Sequence, residues 1–252
     1  MSLKFLLKFC PTNLGFKTIR HITKSQEVNN AIDNNLPVLA LESTIITHGM
    51  PYPDNLKFAV KAEDTCRKLG VAPATIALLD GCIYVGLTFE QLSFICRNKN
   101  NRKISRRDLG LAITDRWSGG TTVSATMQVS YNVGIRVFST GGVGGIHRGL
   151  NKSFDISQDL VSLKELPMIV VSSGAKAILD IEKTVENLET SGVIVLGYGT
   201  NCFSAFYSRE TDFKIQRVNS VEKIVKTFKN HLSLGLSSSV LVSNPIPKKH
   251  NI

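Results

Sequence analysis

Two rhythms of apolar positions alternate along this chain. From Gln26 onward, continuous apolar runs of four or five residues take turns with longer stretches in which apolar residues recur every three or four positions. The first rhythm marks a strand buried on both faces and the second an amphipathic helix. Residues 26–34 read as a short helix, and 37–41 as a buried strand that runs straight into Glu42. Over 54–69, Leu56, Ala59, Val60, Ala62 and Cys66 keep a helical period, and Gly70 stands where a left-handed C-cap is wanted. Residues 75–79 and 82–85 flank Asp80-Gly81, a two-residue hairpin signal, so the sheet is mixed rather than purely parallel. Helices over 122–132, 178–190 and 221–234, with a short helix or turn over 160–166, are then interleaved with strands over 135–139, 168–172, 193–197 and 239–242. This alternation predicts an α/β fold in a single domain: a central mixed, mostly parallel sheet flanked by helices, with functional loops at the strand ends.

Composition narrows the class. A chain of 252 residues with 42% hydrophobic positions suits one catalytic domain with a full core. No stretch approaches the roughly 20 apolar residues that cross a bilayer, so the expectation is a soluble protein without a membrane partner. The net charge of +10 is compatible with nucleic acid, an anionic surface or a phosphorylated substrate. Its basic residues are spread, with clusters at Arg102, Lys103, Arg106 and Arg107 and at Lys248 and Lys249, and no aromatic-interleaved stripe accompanies them. A nucleic-acid partner is therefore not expected, and a phosphate-bearing small molecule explains the first cluster equally well. The five cysteines, Cys10, Cys66, Cys82, Cys96 and Cys202, are widely spaced and form no C-x-x-C pair, which argues for ordinary buried thiols in a reducing compartment.

The ends carry two further signals. Residues 1–24 contain Lys4, Lys8, Lys17, Arg20 and Lys24 and no acid, interleaved with apolar residues. Such a basic extension reads as a mitochondrial transit peptide or, equally, as a loosely docked extension of a cytoplasmic protein, which leaves 25–252 as the catalytic domain. At the other end, Asn244-Pro245-Ile246-Pro247 looks like the exit from a buried strand into further structure, and the expectation is a chain that stops early.

Candidate chemistry sits at the predicted strand ends. Gly174-Ala175-Lys176-Ala177, with Asp180 beside it, delivers one lysine where an apolar run ends. It reads either as a helix-start lysine in water or as an amine with a lowered pKa, ready to form a Schiff base with a sugar carbonyl. Glu42 leaves its strand beside Ser43 and Thr44, either as a carboxyl with a raised pKa suited to proton transfer or as an acceptor for the following turn. Lys103-Ile104-Ser105-Arg106-Arg107-Asp108 is a solvated charge run or a phosphate holder. Gly119-Gly120-Thr121-Thr122-Val123 opens a helix, and Thr140 to Gly149 is glycine-rich after a strand; neither fits a dinucleotide or Walker pattern. Asp155 and Asp159 lie four apart around Ser157, as a polar turn or as the carboxylates of a hard divalent ion such as Mg or Mn. His48 and His147 are further possible ligands, though lone histidines are more often structural.

Taken together, Leu41 to Pro53, Lys103 to Asp108, Gly119 to Val123, the glycine-rich segment ending in His147-Arg148-Gly149, Phe154-Asp155-Ile156-Ser157 and Gly174-Ala175-Lys176 resemble the pseudouridine-5'-phosphate glycosidase family, in order and spacing across roughly residues 37–247. The resemblance implies reversible cleavage of the C–C glycosidic bond of pseudouridine 5'-phosphate to uracil and ribose 5-phosphate. It implies Lys176 as the nucleophile that forms an imine with C1' and Glu42 as the proton donor. It implies that Asp155 holds one manganese ion per subunit, mostly through water. Lys103, Val123 through its backbone, Ser157, Gln158 and Asp159 would contact substrate, and the assembly would be a homotrimer. Two departures stand out: the family resembled continues well beyond the Asn-Pro-Ile-Pro motif, and Gly199 and Ser204 replace an expected Gln and Pro. Beside the active glycosidase stand a truncated, catalytically inactive ligand-binding or assembly paralogue and a Schiff-base aldolase for another sugar phosphate.

Overall fold

Capping side chains punctuate the chain. In the computed structural model, which describes residues 21–250, the Ser25 hydroxyl accepts the Val28 N–H at 3.2 Å and starts helix α1 (Gln26–Asp33). Residues 1–20 of the basic stretch read as a targeting segment lie outside the described residues, as does Cys10. The last residues of that stretch form strand β1 (Ile22–Lys24).

Backbone contacts gather into two compact units, one running to Val137 and one starting at Phe138. The first holds β1, α1, β2 (Val38–Leu41), α2 (Asp54–Lys68), β3 (Ala72–Leu79), β4 (Cys82–Val85), α3 (Phe89–Arg97), β5 (Arg102–Ile104), α4 (Leu109–Thr114), β6 (Gly119–Thr121) and α5 (Val123–Asn132). Strands run in the order β1-β4-β3-β2, and β6 also pairs with β3 and carries β5 on its far side. The β1–β4, β2–β3 and β5–β6 pairs are parallel, whereas β3–β4 and β3–β6 are antiparallel. The hairpin that breaks the parallel rule is the predicted one: Asp80 and Gly81 both take positive φ, 51° and 77°, as a two-residue turn matched to strand twist requires. A side chain at Gly81 would also sit 2.8 Å from the Ile113 carbonyl oxygen. Ile76, Ala77 and Leu78 of β3 are fully buried, and Ala77 packs with Ile46, Ala59, Leu87, Leu92 and Ile95.

The second unit holds β7 (Val137–Ser139, which straddles the boundary), α6 (Leu150–Ser153), α7 (Gln158–Glu165), β8 (Ile169–Ser172), α8 (Ile181–Thr190), β9 (Ile194–Tyr198), β10 (Gln216–Val218), α9 (Val221–Ser233) and β11 (Val240–Ser243). Its order is β7-β8-β11-β9-β10, with β11 parallel to both β8 and β9 and β10 parallel to β9. The last strand in sequence is thus an inner strand. Val240, Leu241 and Val242 are fully buried there, worth about 1.5–3 kcal/mol each in apolar burial, which is why this strand reads as a continuous apolar run rather than an alternating one.

The mixed, mostly parallel sheet with flanking helices is what the pattern predicts. Local differences have local causes. Helix α8 starts at Ile181, not at 178, because Asp180 is its N-cap and accepts the Lys183 N–H at 3.2 Å. Helix α3 was not predicted: Phe89 and Phe94 stand exposed on it and blur its apolar stripe. Strands β1, β5, β6 and β10 are three residues each, too short to show a period. Cys66, Cys96 and Cys202 are buried free thiols as expected, but Cys82 is exposed at the hairpin. Burial pushes the Cys96 thiol up to about 11. Among the described residues, no helix is long and apolar enough to cross a membrane.

Candidate active site

Glu42 is the first residue beyond β2 and is half-buried. What holds the chain there is a network of hydroxyls with no solvent exposure. Ser43 Oγ donates to the Ile76 carbonyl of β3 at 2.5 Å and accepts the Thr121 N–H at 2.9 Å. Thr121 Oγ1 donates to the same carbonyl at 2.7 Å and takes up the Thr126 hydroxyl at 2.9 Å. Every polar group in this chain of contacts finds a partner, which is the condition for burying it without loss. The approach is close: a Cβ on Gly120 would lie 2.3 Å from Thr47 Oγ1 and 2.9 Å from the Ser43 carbonyl oxygen. Thr47 in turn donates to the Ser43 carbonyl at 3.1 Å and meets Nδ1 of the exposed His48 at 2.7 Å, which accounts for that histidine without a metal.

The same network sets the predicted substrate contacts of this unit. Lys103 pairs with Gly120 across β5–β6, and its side chain is exposed. Val123 is the first residue of α5, capped by Thr122, so its N–H has no intrahelical acceptor and faces the end of the helix that favours an anion. The basic cluster divides by role. Arg102 stacks its guanidinium 4.1 Å from the Trp117 ring centroid, and the Arg106 N–H donates to Ser124 Oγ at 3.3 Å. Asp108 is pushed up by burial, but the N–H and hydroxyl of Ser105, at 2.9 and 2.6 Å, together with Arg107, outweigh this and hold its carboxyl below the usual range.

Lys176 lies four residues past the end of β8 and five before the start of α8, so it is not a helix-start lysine. It is half-buried in a loop held by main-chain bonds on both sides. Its N–H donates to the Val143 carbonyl at 3.0 Å, and the Val143 N–H donates to the Gly174 carbonyl at 3.0 Å, a reciprocal bridge between the lysine loop and the glycine-rich segment. The Asp180 N–H reaches the Ile146 carbonyl at 2.8 Å, and Arg148 spans the Ala177 and Leu179 carbonyls at 3.4 Å each. Gly174 takes φ 89°, and a Cβ there would overlap the Ser204 carbonyl at 1.6 Å, so no other residue fits the turn.

The predicted acids part ways. Asp159, only 4% exposed, accepts the Gly144 N–H at 2.8 Å, while the Ser157 N–H donates to the Gly145 carbonyl at 2.9 Å and Gln158 opens α7. Asp155 instead faces water, its side chain 61% exposed, with His147 Nδ1 4.0 Å from Oδ2. Lys176, Asp155, Ser157, Gln158 and Asp159 therefore belong to one unit, tied through residues 143–148; Glu42, Lys103 and Val123 belong to the other. Three supporting hydroxyls escaped the sequence reading. Ser43 and Thr121 lie within sequence motifs but carry no sign there of mutual contact, and Thr184 sits within a helix with no motif around it.

Among the described residues, no group of three His, Cys, Asp or Glu side chains stands close enough to cage a metal. One exposed carboxylate with an imidazole nearby instead fits a hard divalent ion that keeps most of its water.

Residues 27–252 match the family model described as indigoidine synthase A like protein. The chain is 50% identical over 222 residues to a pseudouridine-5'-phosphate glycosidase of Dinoroseobacter shibae, covering 88% of this chain and 73% of that one. It is also 50% identical over 226 residues to one of Mesorhizobium japonicum, covering 89% and 74%. Among solved structures it superposes on an indigoidine synthase A-like protein from Thermotoga maritima with a TM-score of 0.86 at 31% identity, over 95% of this chain and 79% of that one. On a prealnumycin C-glycosynthase in complex with ribulose 5-phosphate the TM-score is 0.87 at 36% identity, over 93% and 76%.

Proposed function

Because this chain belongs to the pseudouridine-5'-phosphate glycosidase family, within the indigoidine synthase A-like group, we propose that it cleaves the C–C glycosidic bond of pseudouridine 5'-phosphate to uracil and ribose 5-phosphate, and also runs the reverse. The observation that carries this reading is Lys176 in its doubly bridged loop. A backbone held on both sides fixes the origin from which the Lys176 side chain reaches its target, which is part of the positioning a covalent nucleophile needs.

The chemistry follows from the leaving group. Lys176 Nζ bonds to C1' as the C1'–O4' bond breaks, and the proton from nitrogen passes to O4'. The nitrogen lone pair then forms the iminium while the C1'–C5 bond breaks, and Glu42 delivers a proton to uracil C5 as uracil departs. Water adds to the iminium carbon, the amine leaves, Glu42 regains a proton, and ribose 5-phosphate closes. Lys103 and the Val123 N–H hold the anionic end of the substrate, and Ser157, Gln158 and Asp159 line its sugar. The ribulose 5-phosphate of the C-glycosynthase complex supports a pentose phosphate as the ligand class. Asp155 would hold a manganese ion largely through water, and such an ion supplies positive charge that orients a phosphorylated substrate. The working assembly is a homotrimer, a state to be read by light scattering.

The test is incubation of the purified chain with pseudouridine 5'-phosphate and manganese, following uracil release and trapping the imine with borohydride. Uracil release with a reduced pentose phosphate adduct on Lys176, lost on chelation and restored by manganese, supports the reading. Folded protein that releases no uracil and gives no adduct overturns it in favour of an inactive ligand-binding paralogue.

A further inference from the structure

We propose that the hydroxyl of Thr184 is a positioning device for Lys176, fixing the nucleophile through the glycine-rich segment without touching substrate; this rests on Lys176 being the imine-forming amine. Thr184 has no solvent exposure and lies in the first turn of α8. Its Oγ1 donates to the Asp180 carbonyl at 2.7 Å, the ordinary back-bond of a helical threonine. The same oxygen accepts the Ile146 N–H at 3.0 Å, which is no part of the helix. The main chain of Ile146 is thereby gripped on both sides, its N–H by Thr184 and its carbonyl by the Asp180 N–H at 2.8 Å. Three residues earlier, Val143 makes the reciprocal bridge to Gly174 and Lys176. One hydroxyl thus joins the start of α8 to the segment on which the lysine backbone rests.

The packing leaves no slack for a substitute partner. A Cβ on Gly145 would meet Thr184 Oγ1 at 2.4 Å and Cγ2 at 2.5 Å, so the helix lies directly against the loop, and Ile146 is 5% exposed. Removing the acceptor leaves the Ile146 N–H buried and unpaired, and the loop must shift to regain a partner. A shift of about 1 Å at a nucleophile is enough to cost on the order of 100-fold in rate.

Three variants decide this: Thr184→Val keeps the shape without the acceptor, Thr184→Ser keeps the hydroxyl, and Thr184→Ala removes both and serves if the valine chain fails to fold. Each is compared with wild type well below its melting temperature, for kcat and KM of uracil release and for the single-turnover rate of the borohydride-trapped Lys176 adduct. The expected result is a fall of about 10- to 100-fold in kcat and in adduct rate for the valine or alanine variant, with KM changed by less than about threefold and the serine variant near wild type. A melting temperature that drops while kcat and adduct rate per folded chain stay at the wild-type level overturns the inference and makes Thr184 a stability residue only. A loss that serine fails to restore overturns it as well. A wild-type chain that forms no adduct instead overturns the functional reading from which the inference starts.

Discussion

The two units hold their reactive groups by opposite means. Around Glu42 the support is side chain to main chain within a sheet: Ser43, Thr121 and Thr126 are buried hydroxyls that tie β6 and the end of β2 to one carbonyl of β3. Around Lys176 the bonds of the lysine loop to the glycine-rich segment are main chain to main chain, made possible where Gly174 and that segment let backbones approach, and the side chains of Asp159 and Thr184 stand one step behind them. A proton donor needs a fixed environment, which a buried network on a sheet provides. A nucleophile that must form and release a covalent bond is better served by a loop whose backbone is fixed while its side chain moves.

Lys176→Ala bears hardest on this contrast. The expected result is loss of all measurable uracil release and of the borohydride adduct, with the far-ultraviolet spectrum unchanged, since the bridging bonds are made by the backbones of residues 174 and 176. Residual turnover near wild type in this variant would sink the imine mechanism. Glu42→Gln is expected to cost about 10²–10⁴-fold in kcat, the range of a general acid, and to slow the borohydride-trapped Lys176 adduct in step, because the iminium arises only as uracil C5 takes its proton. An adduct trapped at the wild-type rate without uracil release would mean that the imine forms before C–C cleavage, and the order of steps given above would fall.

The supports themselves are expected to fail differently. Gly144→Ala places a Cβ 2.1 Å from Ser157 Oγ and 2.7 Å from Asp159 Oδ2, so the loop must move. A cost of about 1–3 kcal/mol follows, with a melting temperature lower by about 2–4 °C per kcal/mol. Ser43→Ala leaves the Thr121 N–H buried without its acceptor, a cost of about 1–3 kcal/mol with no steric change. Calorimetry checks both costs, and Gly144→Ala is also expected to slow adduct formation at Lys176.

Most of the fold was legible because its inner strands read as apolar runs and its longer helices keep a helical period. Asp80-Gly81 announced the antiparallel step, and Gly70, with φ 68°, the end of α2. The site residues were legible as motifs, because glycine and small hydroxyls cluster where backbones must approach. The division of labour within them was not. Asp155 and Asp159 look alike in sequence, and only the fold makes one a support for Gly144 and leaves the other in water. Thr184 was invisible because its partner Ile146 lies 38 positions away, and a threonine inside a helix has a local explanation already.

Acid and base titration offers the finest discrimination, because one carboxyl in each unit carries a shift of opposite sign: Glu63 in the first and Asp180 in the second. Glu63 in α2, 5% exposed, is pushed above its ordinary value of 4.5 by burial, which outweighs the Thr75 hydroxyl at 2.6 Å and Arg67 at 3.1 Å. Its native form holds the proton more tightly than the unfolded chain does. Its contribution to stability is therefore fully present below 4.5 and falls as pH rises through its native pKa. Asp180 is held below its ordinary 3.8 by hydrogen bonds from the Lys183 side chain and N–H, so its contribution is present above 3.8 and is lost as pH falls through the native pKa. Native-state amide exchange around Thr75 and around Lys183, followed from about pH 3 to 7, reads the two separately. Glu63→Gln should flatten the loss with rising pH near Thr75, and Asp180→Asn, which keeps a good N-cap, should flatten the loss with falling pH near Lys183. Both variants moving the same limb of the profile would mean that the two units share one set of supports, and the contrast drawn from their geometry would fall.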